Sequence, residues 1–321
     1  MPPSSQAPEI IVVGCGVVGL SCAARLAEAG KRVAIWTAAL PEHTTSHVAA
    51  AFWHPYRIDP IVRASAWAGA SYRVFVELAA DPRTGVQLRT GVELFPTPIP
   101  DPPWAAAVDG FRHARPDELR LGRKHGIVFE APVIDMPVYL PWLLARVRSL
   151  GVEIVERPLD SLTPALDQAP LVVDAAGLAA RELVGDRELY AVRGQIVVCE
   201  QIGLDRVWLD EHDEAGTTYI IPRTRDIVMG GVADEHDERL GEDPEQTEAI
   251  VRRCVAIEPR LAHAKRIGVR VGLRPCRSSV RLELERLPEG RRIIHDYGHG
   301  GAGVTASWGC ADEVLALALA P

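Results

Sequence analysis

Glu9-Ile10-Ile11-Val12-Val13-Gly14-Cys15-Gly16-Val17-Val18-Gly19-Leu20, near the start of a chain of 321 residues, decides the fold class. The run from Ile10 to Val13 is apolar without a break, the pattern of a parallel strand buried on both faces. It enters a glycine loop directly. A helix follows in which Leu20, Ala23, Ala24 and Ala27 share a face and Gly30 supplies the stop, and Arg32-Val33-Ala34-Ile35-Trp36 is the next strand. Strand, G-x-G-x-x-G, helix and strand in this order form the dinucleotide-binding fingerprint. Gly14 makes the turn, Gly16 lets a pyrophosphate approach, Gly19 brings helix against strand, and Val17 and Val18 stand at the cofactor-facing helix start. One expected part is missing. The acid that should meet the adenosine ribose is replaced by Trp36-Thr37-Ala38-Ala39, and Glu42 is the nearest carboxylate.

A second glycine-rich run, Ile293-Ile294-His295-Asp296-Tyr297-Gly298-His299-Gly300-Gly301-Ala302-Gly303-Val304-Thr305, reads as strand, loop and helix start. Two distant glycine loops suggest one extended ligand gripped at both ends. Between them, 136–150 has helical spacing, 152–155 and 171–174 read as strands, and Ala175-Ala176-Gly177 would let a cofactor lie across a strand end. Segments 91–95, 193–199, 217–222, 227–231 and 267–270 have strand composition with few helices between them, and Pro244 opens a helix to Ile257. The expected fold is α/β: a Rossmann-like dinucleotide-binding domain (9–56, 136–185 and 288–321) interleaved with a mixed, largely antiparallel substrate-binding sheet domain (57–135 and 186–287).

Composition narrows the function classes. A net charge of −8 argues against nucleic acid as a partner, because phosphate neutralisation needs a positive face. Mean hydropathy of +0.04 and the lack of any bilayer-length apolar run argue against a membrane protein. Six cysteines without a C-x-x-C pair, and no His or carboxylate spacing of metal type, predict no metal and reduced thiols, with a Cys254–Cys276 pair left open. Residues 1–8 read as a loose tail rather than a secretion signal, and Leu319-Ala320-Pro321 is not a peroxisomal tripeptide. A cytoplasmic location is expected, and a homodimer is left open.

Further motifs identify a family. Val48-Ala49-Ala50-Ala51-Phe52-Trp53-His54-Pro55-Tyr56, Tyr219-Ile220-Ile221-Pro222, Gly230-Gly231, Val271-Gly272-Leu273-Arg274-Pro275, and the Tyr297–Gly301 loop running to Trp308-Gly309-Cys310 occur in order. With these motifs the chain resembles the D-amino-acid oxidase family of flavoproteins from Ile10 to about Leu317. The resemblance implies non-covalent FAD and oxidative deamination of a D-amino acid, with neutral or basic substrates expected if the acidic runs 210–214 or 234–238 face the pocket. A hydride passes from Cα to flavin N5, the imine hydrolyses to a 2-oxo acid and ammonium, and oxygen is reduced to hydrogen peroxide. No side-chain base is needed, so positioning carries the step.

The same resemblance assigns roles. Arg274 holds the substrate carboxylate, Tyr219 shares it, and the Gly301 carbonyl accepts from the amine. Ala50, Ala51 and Phe52 lie along the reactive edge of the flavin, and Gly303, Val304 and Thr305 face its pyrimidine end. Thr44, Thr45, Ser46, Leu159, Ala176, Gly177 and Gly300 complete the cofactor surroundings. His54 and Ala302, where relatives carry other residues, are expected in the substrate pocket, and the second family tyrosine has no counterpart in 213–218. The acidic runs 210–214 and 234–238 read as solvated faces, or, if turned to the pocket, as repelling acidic substrates. D-aspartate oxidase is the nearest alternative, with Arg223 or Arg225 for the second carboxylate. Glycine or sarcosine oxidase, a quinone-linked dehydrogenase and a non-catalytic flavin-binding redox protein stand further off.

Overall fold

A computed structural model describes residues 7–320 apart from Arg57 and Glu214. Residues 1–6 of the expected tail and Pro321 of the terminal tripeptide therefore lie outside the described residues. Strand β1 (Ile10–Val13), helix α1 (Val17–Glu28) and strand β2 (Val33–Thr37) follow the glycine motif, with Val12 beside Ile35 in a parallel pair. The chain continues through α2 (Thr45–Val48), α3 (Ile61–Leu78), β3 (Val86–Phe95), β4 (Arg112–His113), β5 (His125–Ile134), α4 (Met136–Ser149) and β6 (Glu153–Glu156). Then come α5 (Thr163–Leu166), β7 (Leu171–Asp174), α6 (Ala180–Leu183), β8 (Tyr190–Glu200), β9 (Val207–Asp210), β10 (Thr218–Pro222) and β11 (Asp226–Gly230). β12 (Asp234–Glu235), α7 (Pro244–Ile257), β13 (Arg266–Arg286), β14 (Arg292–His299) and α8 (Gly303–Leu319) complete the described chain.

The strands join into one hydrogen-bonded sheet, ordered β4-β5-β3-β9-β10-β11-β8-β13-β14-β7-β1-β2-β6, with β12 added on β8. Neighbours from β14 to β6 are parallel, whereas the other half is antiparallel except for β3 beside β9. The two sheets expected from sequence are thus continuous. The cause is β13, a strand of 21 residues whose first part pairs with β8 and whose second part pairs with β14, Cys276 belonging to both registers. The strand expected at 267–270 runs on through Gly272 and Pro275, with Pro275 within the β8 pairing opposite Ala191, and the register slips between Cys276 and Arg281.

Helices cover the parallel half. α1 packs on α8, and α3, which the sequence did not disclose, crosses α8 closely because Gly309 has no Cβ; an added one would lie 2.5 Å from Trp67 Cα. Ser71 of α3 accepts from the N–H groups of Trp308 and Gly309 at 3.1 and 2.9 Å. Trp308 is fully buried and donates its indole N–H to the Tyr139 hydroxyl at 2.9 Å, satisfying both polar tips. α7 closes an apolar cluster of Trp208, Ile220, Met229 and Val197 on one face of the antiparallel half, leaving the other face for the cavity described next. All six cysteines are free and buried, so the Cys254–Cys276 pair is not formed. No helix among the described residues is long and apolar enough to cross a membrane.

Candidate active site

Side chains alternate along a strand, so register decides which residues meet over the sheet. Glu93 and Tyr219 are both opposite Leu209, Tyr219 is opposite Gly230, and Gly230 is opposite Ile196. Gly194 faces Gly272, and Arg274 follows two residues on. This row turns towards a cavity of about 540 Å3 whose walls include Leu209, Glu211, Tyr219, Ile196, Gly194 and Arg274. At its far end the cavity reaches Gly14 to Val18, Trp36 to Ala39, Ala176, Gly177 and Leu159.

Arg274 lies flat over β8. A Cβ at Gly194 would sit 2.6 Å from its Nη1, so only glycine leaves room for the guanidinium. Nη1 donates to the carbonyls of Val232 and Arg193 at 2.9 and 3.3 Å. Among the described residues no carboxylate pairs with it. Tyr219 stands beside this cation: burial pushes its hydroxyl pKa up, and Arg274 partly opposes that. The tyrosine ring rests on Gly230 and Gly231, and a Cβ on the latter would lie 2.5 Å from the ring.

The second glycine loop closes the opposite wall. Gly298 and Gly300 have φ of 83° and 56°, the left-handed region that favours glycine, and α8 starts at Gly303. Gly301, Gly303, Val304 and Thr305 line the cavity with Gly300. A Cβ at Gly301 would meet the Tyr56 ring at 2.6 Å, so a tyrosine from the His54-Pro55-Tyr56 segment fills space beside the loop. Sequence reasoning gave Tyr56 no role. Thr305 donates its hydroxyl to the His54 carbonyl at 3.0 Å and accepts the His54 N–H at 3.3 Å, tying α8 to the 50–56 segment. Ala302 is a correction: its side chain is wholly buried among Trp67, Ile58, Leu282 and Cys310, on the side of the loop away from the cavity. The single turn between β14 and α8 rotates alternate residues to opposite sides.

At the first loop Gly14 has φ of 112°, and a Cβ there would strike the Ala175 carbonyl. Gly19 does not reach the cavity; it lets α1 lie on the Gly14 backbone, the packing role the motif predicts. Val17 donates its N–H to Ser46 Oγ at 3.1 Å, which brings Thr44, Thr45 and Ser46 to the cavity edge. Ala50, Ala51 and Phe52 line its middle, held to β5 by the Ile134 N–H donating to the Ala51 carbonyl at 2.8 Å. Ala51 has φ of 57°, a conformation that costs about 1–2 kcal/mol outside glycine. Where the ribose acid was expected, Arg157 instead sits 4.3 Å over the Trp36 ring, and Glu42 is exposed outside the cavity.

His54 lines the cavity, with company the sequence did not reveal. Its Nε2 lies 3.2 Å from Glu93 and its Nδ1 3.8 Å from Glu211. Burial alone would lower its pKa, but the two carboxylates outweigh that and raise it to about 9. Of the acidic runs, the first sends Glu211 to the cavity, while Asp210 and Asp213 pair with Arg123 at 3.0 and 2.9 Å; Glu214 lies outside the described residues. The second is an outer ion-paired face, with Asp237 on Arg239 and Glu238 on Arg181. Asp296, His299 and Cys310 bring one potential ligand atom each within 4.8 Å behind the glycine loop, a grouping spacing did not show. His299 Nε2 is 3.1 Å from the Asp296 carboxylate, whose other oxygen accepts from Cys22 Sγ at 3.2 Å.

Comparison with known proteins decides the family. The model of the FAD dependent oxidoreductase family matches residues 9–317. The chain belongs to that family. It is 50% identical over 309 residues to a D-amino-acid oxidase of Rubrobacter xylanophilus, covering 96% of this chain and 95% of that one. A D-amino-acid oxidase of Streptomyces coelicolor is 46% identical over 318 residues, covering 97% and 96%. In fold it is similar to glycine oxidase from Bacillus cereus, with a TM-score of 0.78 at 20% identity over 97% of this chain and 94% of that one. The cavity fits the family's cofactor. It runs from the start of α1 to the start of α8, and both ends present glycine backbone rather than bulky side chains.

Proposed function

We propose that the chain binds FAD non-covalently along this cavity and oxidises neutral or basic D-amino acids to 2-oxo acids and ammonium. The observation that carries the proposal is Arg274: a cavity-facing cation seated on Gly194, beside the Tyr219 hydroxyl, with no carboxylate paired to it among the described residues. A substrate carboxylate supplies that missing partner through charge-assisted hydrogen bonds. The Gly301 carbonyl takes the amine from the opposite wall, so two fixed points orient Cα. Bound at the glycine loops, FAD supplies the acceptor for the Cα hydride and the route of the electron pair to oxygen. Loss of that hydride leaves an iminium, which water hydrolyses. The flavin-binding residues are Gly14, Gly16, Val17 and Val18 at one end, Ala50 to Phe52 in the middle, and Gly303 to Thr305 at the other. The domain division at 9–56, 136–185 and 288–321 belongs to the same proposal, with α3 drawn to the flavin half by its packing on α8. A cytoplasmic location is supported by six buried cysteines that form no disulfide. Light scattering reads whether the protein is a homodimer.

A preference for acidic substrates is disfavoured. Arg223 is buried and pairs with Asp226 at 2.6 Å, and Arg225 is exposed on the β10–β11 turn, so neither lines the cavity. The test is an anaerobic spectrum of the flavin-loaded protein. D-amino acids bleach the flavin bands and L-isomers do not; an unbleached spectrum across a broad D-amino-acid panel would leave a non-catalytic flavin protein. Peroxide release on the same panel separates oxidase from dehydrogenase.

A further inference from the structure

We propose that Arg253, on α7 and outside the cavity walls, is a positioning residue for the carboxylate anchor: it fixes from behind the backbone that seats the Tyr219 ring and accepts from Arg274. The inference rests on the reading of Arg274 and Tyr219 as that anchor. β11 ends at Gly230 and β12 begins at Asp234, so Gly231 and Val232 lie outside both strands. This dipeptide nevertheless serves each anchor group. The Tyr219 ring rests on Gly230 and Gly231, and the Val232 carbonyl accepts from Arg274 Nη1 at 2.9 Å. Two successive glycines give the segment no stiffness of its own. Gly231 is held by its N–H donating to the Thr217 carbonyl at 2.9 Å and by its carbonyl accepting from Arg253 Nη2 at 2.8 Å.

Arg253 binds more than that one carbonyl. Nη2 also donates to the Thr217 carbonyl at 3.2 Å, Nη1 to the Ala215 carbonyl at 3.1 Å, and Nε to Thr218 Oγ1 at 3.1 Å. Gly216 bends around the group with φ of 112°, and a Cβ there would lie 3.5 Å from Arg253 Cζ. One planar fork thus ties the start of β10 to the end of β11, which the point charge of a lysine cannot do. The base of the fork is itself fixed. Cys254, next in sequence, is wholly buried beside Ile220 and Met229, and its Sγ donates to the Tyr219 and Gly230 carbonyls at 3.6 and 3.7 Å. Thr217 and Val232 line the cavity whereas Arg253 does not, so its effect on a substrate passes through this backbone. Loss of the fork frees Gly231 and Val232, and the ring seat and the guanidinium acceptor shift together.

The experiment follows flavin-loaded wild type, Arg253→Met, Arg274→Ala and the double variant. It reads the affinity for butanoate, a carboxylate without an amine, from its perturbation of the flavin spectrum, and the kinetics of D-alanine oxidation. Expected for R253M are butanoate binding weakened about tenfold and kcat/KM lowered about 10- to 100-fold, chiefly through KM, with flavin content unchanged. In the R274A background the same substitution changes either quantity less than about threefold, because residues acting through one anchor are not additive. An equal loss in both backgrounds makes Arg253 a merely structural residue and overturns the inference, as do wild-type binding and kinetics in R253M. Should R253M not fold, R253K keeps the charge without the fork, and the same cycle decides. Butanoate held equally by wild type and R274A fails the anchor reading, and this inference with it. Butanoate weakened by R274A but not by R253M fails this inference alone, and neither comparison needs turnover.

Discussion

Three glycines of the parallel half, Gly14, Gly19 and Gly309, make room for backbone, whereas four of the antiparallel half, Gly91, Gly194, Gly230 and Gly231, make room for side chains. Gly14 lies against the Ala175 carbonyl, Gly19 against the Gly14 carbonyl, and Gly309 against the Trp67 backbone. Across β13 the neighbours change. Gly194 underlies the Arg274 guanidinium, Gly230 and Gly231 underlie the Tyr219 ring, and Gly91 faces the Phe52 ring. The first kind of contact cannot yield, because the main chain of two elements would have to separate. The second can yield when a flexible side chain moves, but the side chain that moves is one the site uses. The dinucleotide half is thus built by chain approach, and the substrate half by seating a few large polar groups on a flat, glycine-paved face.

The widest break between the two kinds comes from Gly14→Ala. A Cβ there meets a backbone carbonyl at a positive φ, at a cost of about 2–6 kcal/mol from clash and strain together. Flavin content per protein and the melting temperature both fall; unchanged values would remove Gly14 from the cofactor cradle. Next is Arg274→Ala, which deletes a charge-assisted interaction and lowers kcat/KM about 10- to 150-fold while flavin content holds. Normal kinetics would reject Arg274 as the anchor. Gly194→Ala sharpens the contrast, because the three atoms nearest its added Cβ all belong to the Arg274 guanidinium. The fold and the flavin survive, and KM rises by about tenfold as the guanidinium is displaced; loss of flavin instead would show that the antiparallel face also carries the fold.

The same contrast explains what could be read from residue order. β1, α1, β2 and α8 follow from short-range signals: an apolar run, glycines at fixed spacing and a helix stop. Arg274 and Tyr219 stood out through family motifs and prove to share the cavity. What stayed hidden depends on non-consecutive neighbours. Glu93 and Tyr219 are 126 positions apart yet both pair opposite Leu209. Nothing local marks Glu211, and not Asp210, as the residue that turns to the cavity; only the β9 register does. α3 went unread because its alanine-rich face packs on a helix more than two hundred residues away, and Ala302 was misplaced because one turn of chain decides which side of a loop it faces.

The smallest expected effect concerns His54, which couples the substrate face to stability. Among the described residues Glu93 on β3 and Glu211 after β9 are the carboxylates facing it; Phe129 stacks on its ring, Trp104 meets it edge-on, and Thr305 holds its backbone. Its folded pKa is raised from 6.5 to about 9, so between those values the native state binds more protons than the unfolded chain. The stabilisation is complete below pH 6.5 and is lost as pH rises through about 9, with a slope of at most about 1.4 kcal/mol per pH unit from this group. Denaturant unfolding of the wild type should therefore weaken over that window relative to His54→Gln, whose two carboxylates keep a neutral neighbour at every pH. Parallel pH profiles for the two proteins would mean that the imidazole is not held charged between Glu93 and Glu211. A steeper wild-type profile identifies this histidine as a cation that the antiparallel face acquires by protonation, where Arg274 carries its charge permanently.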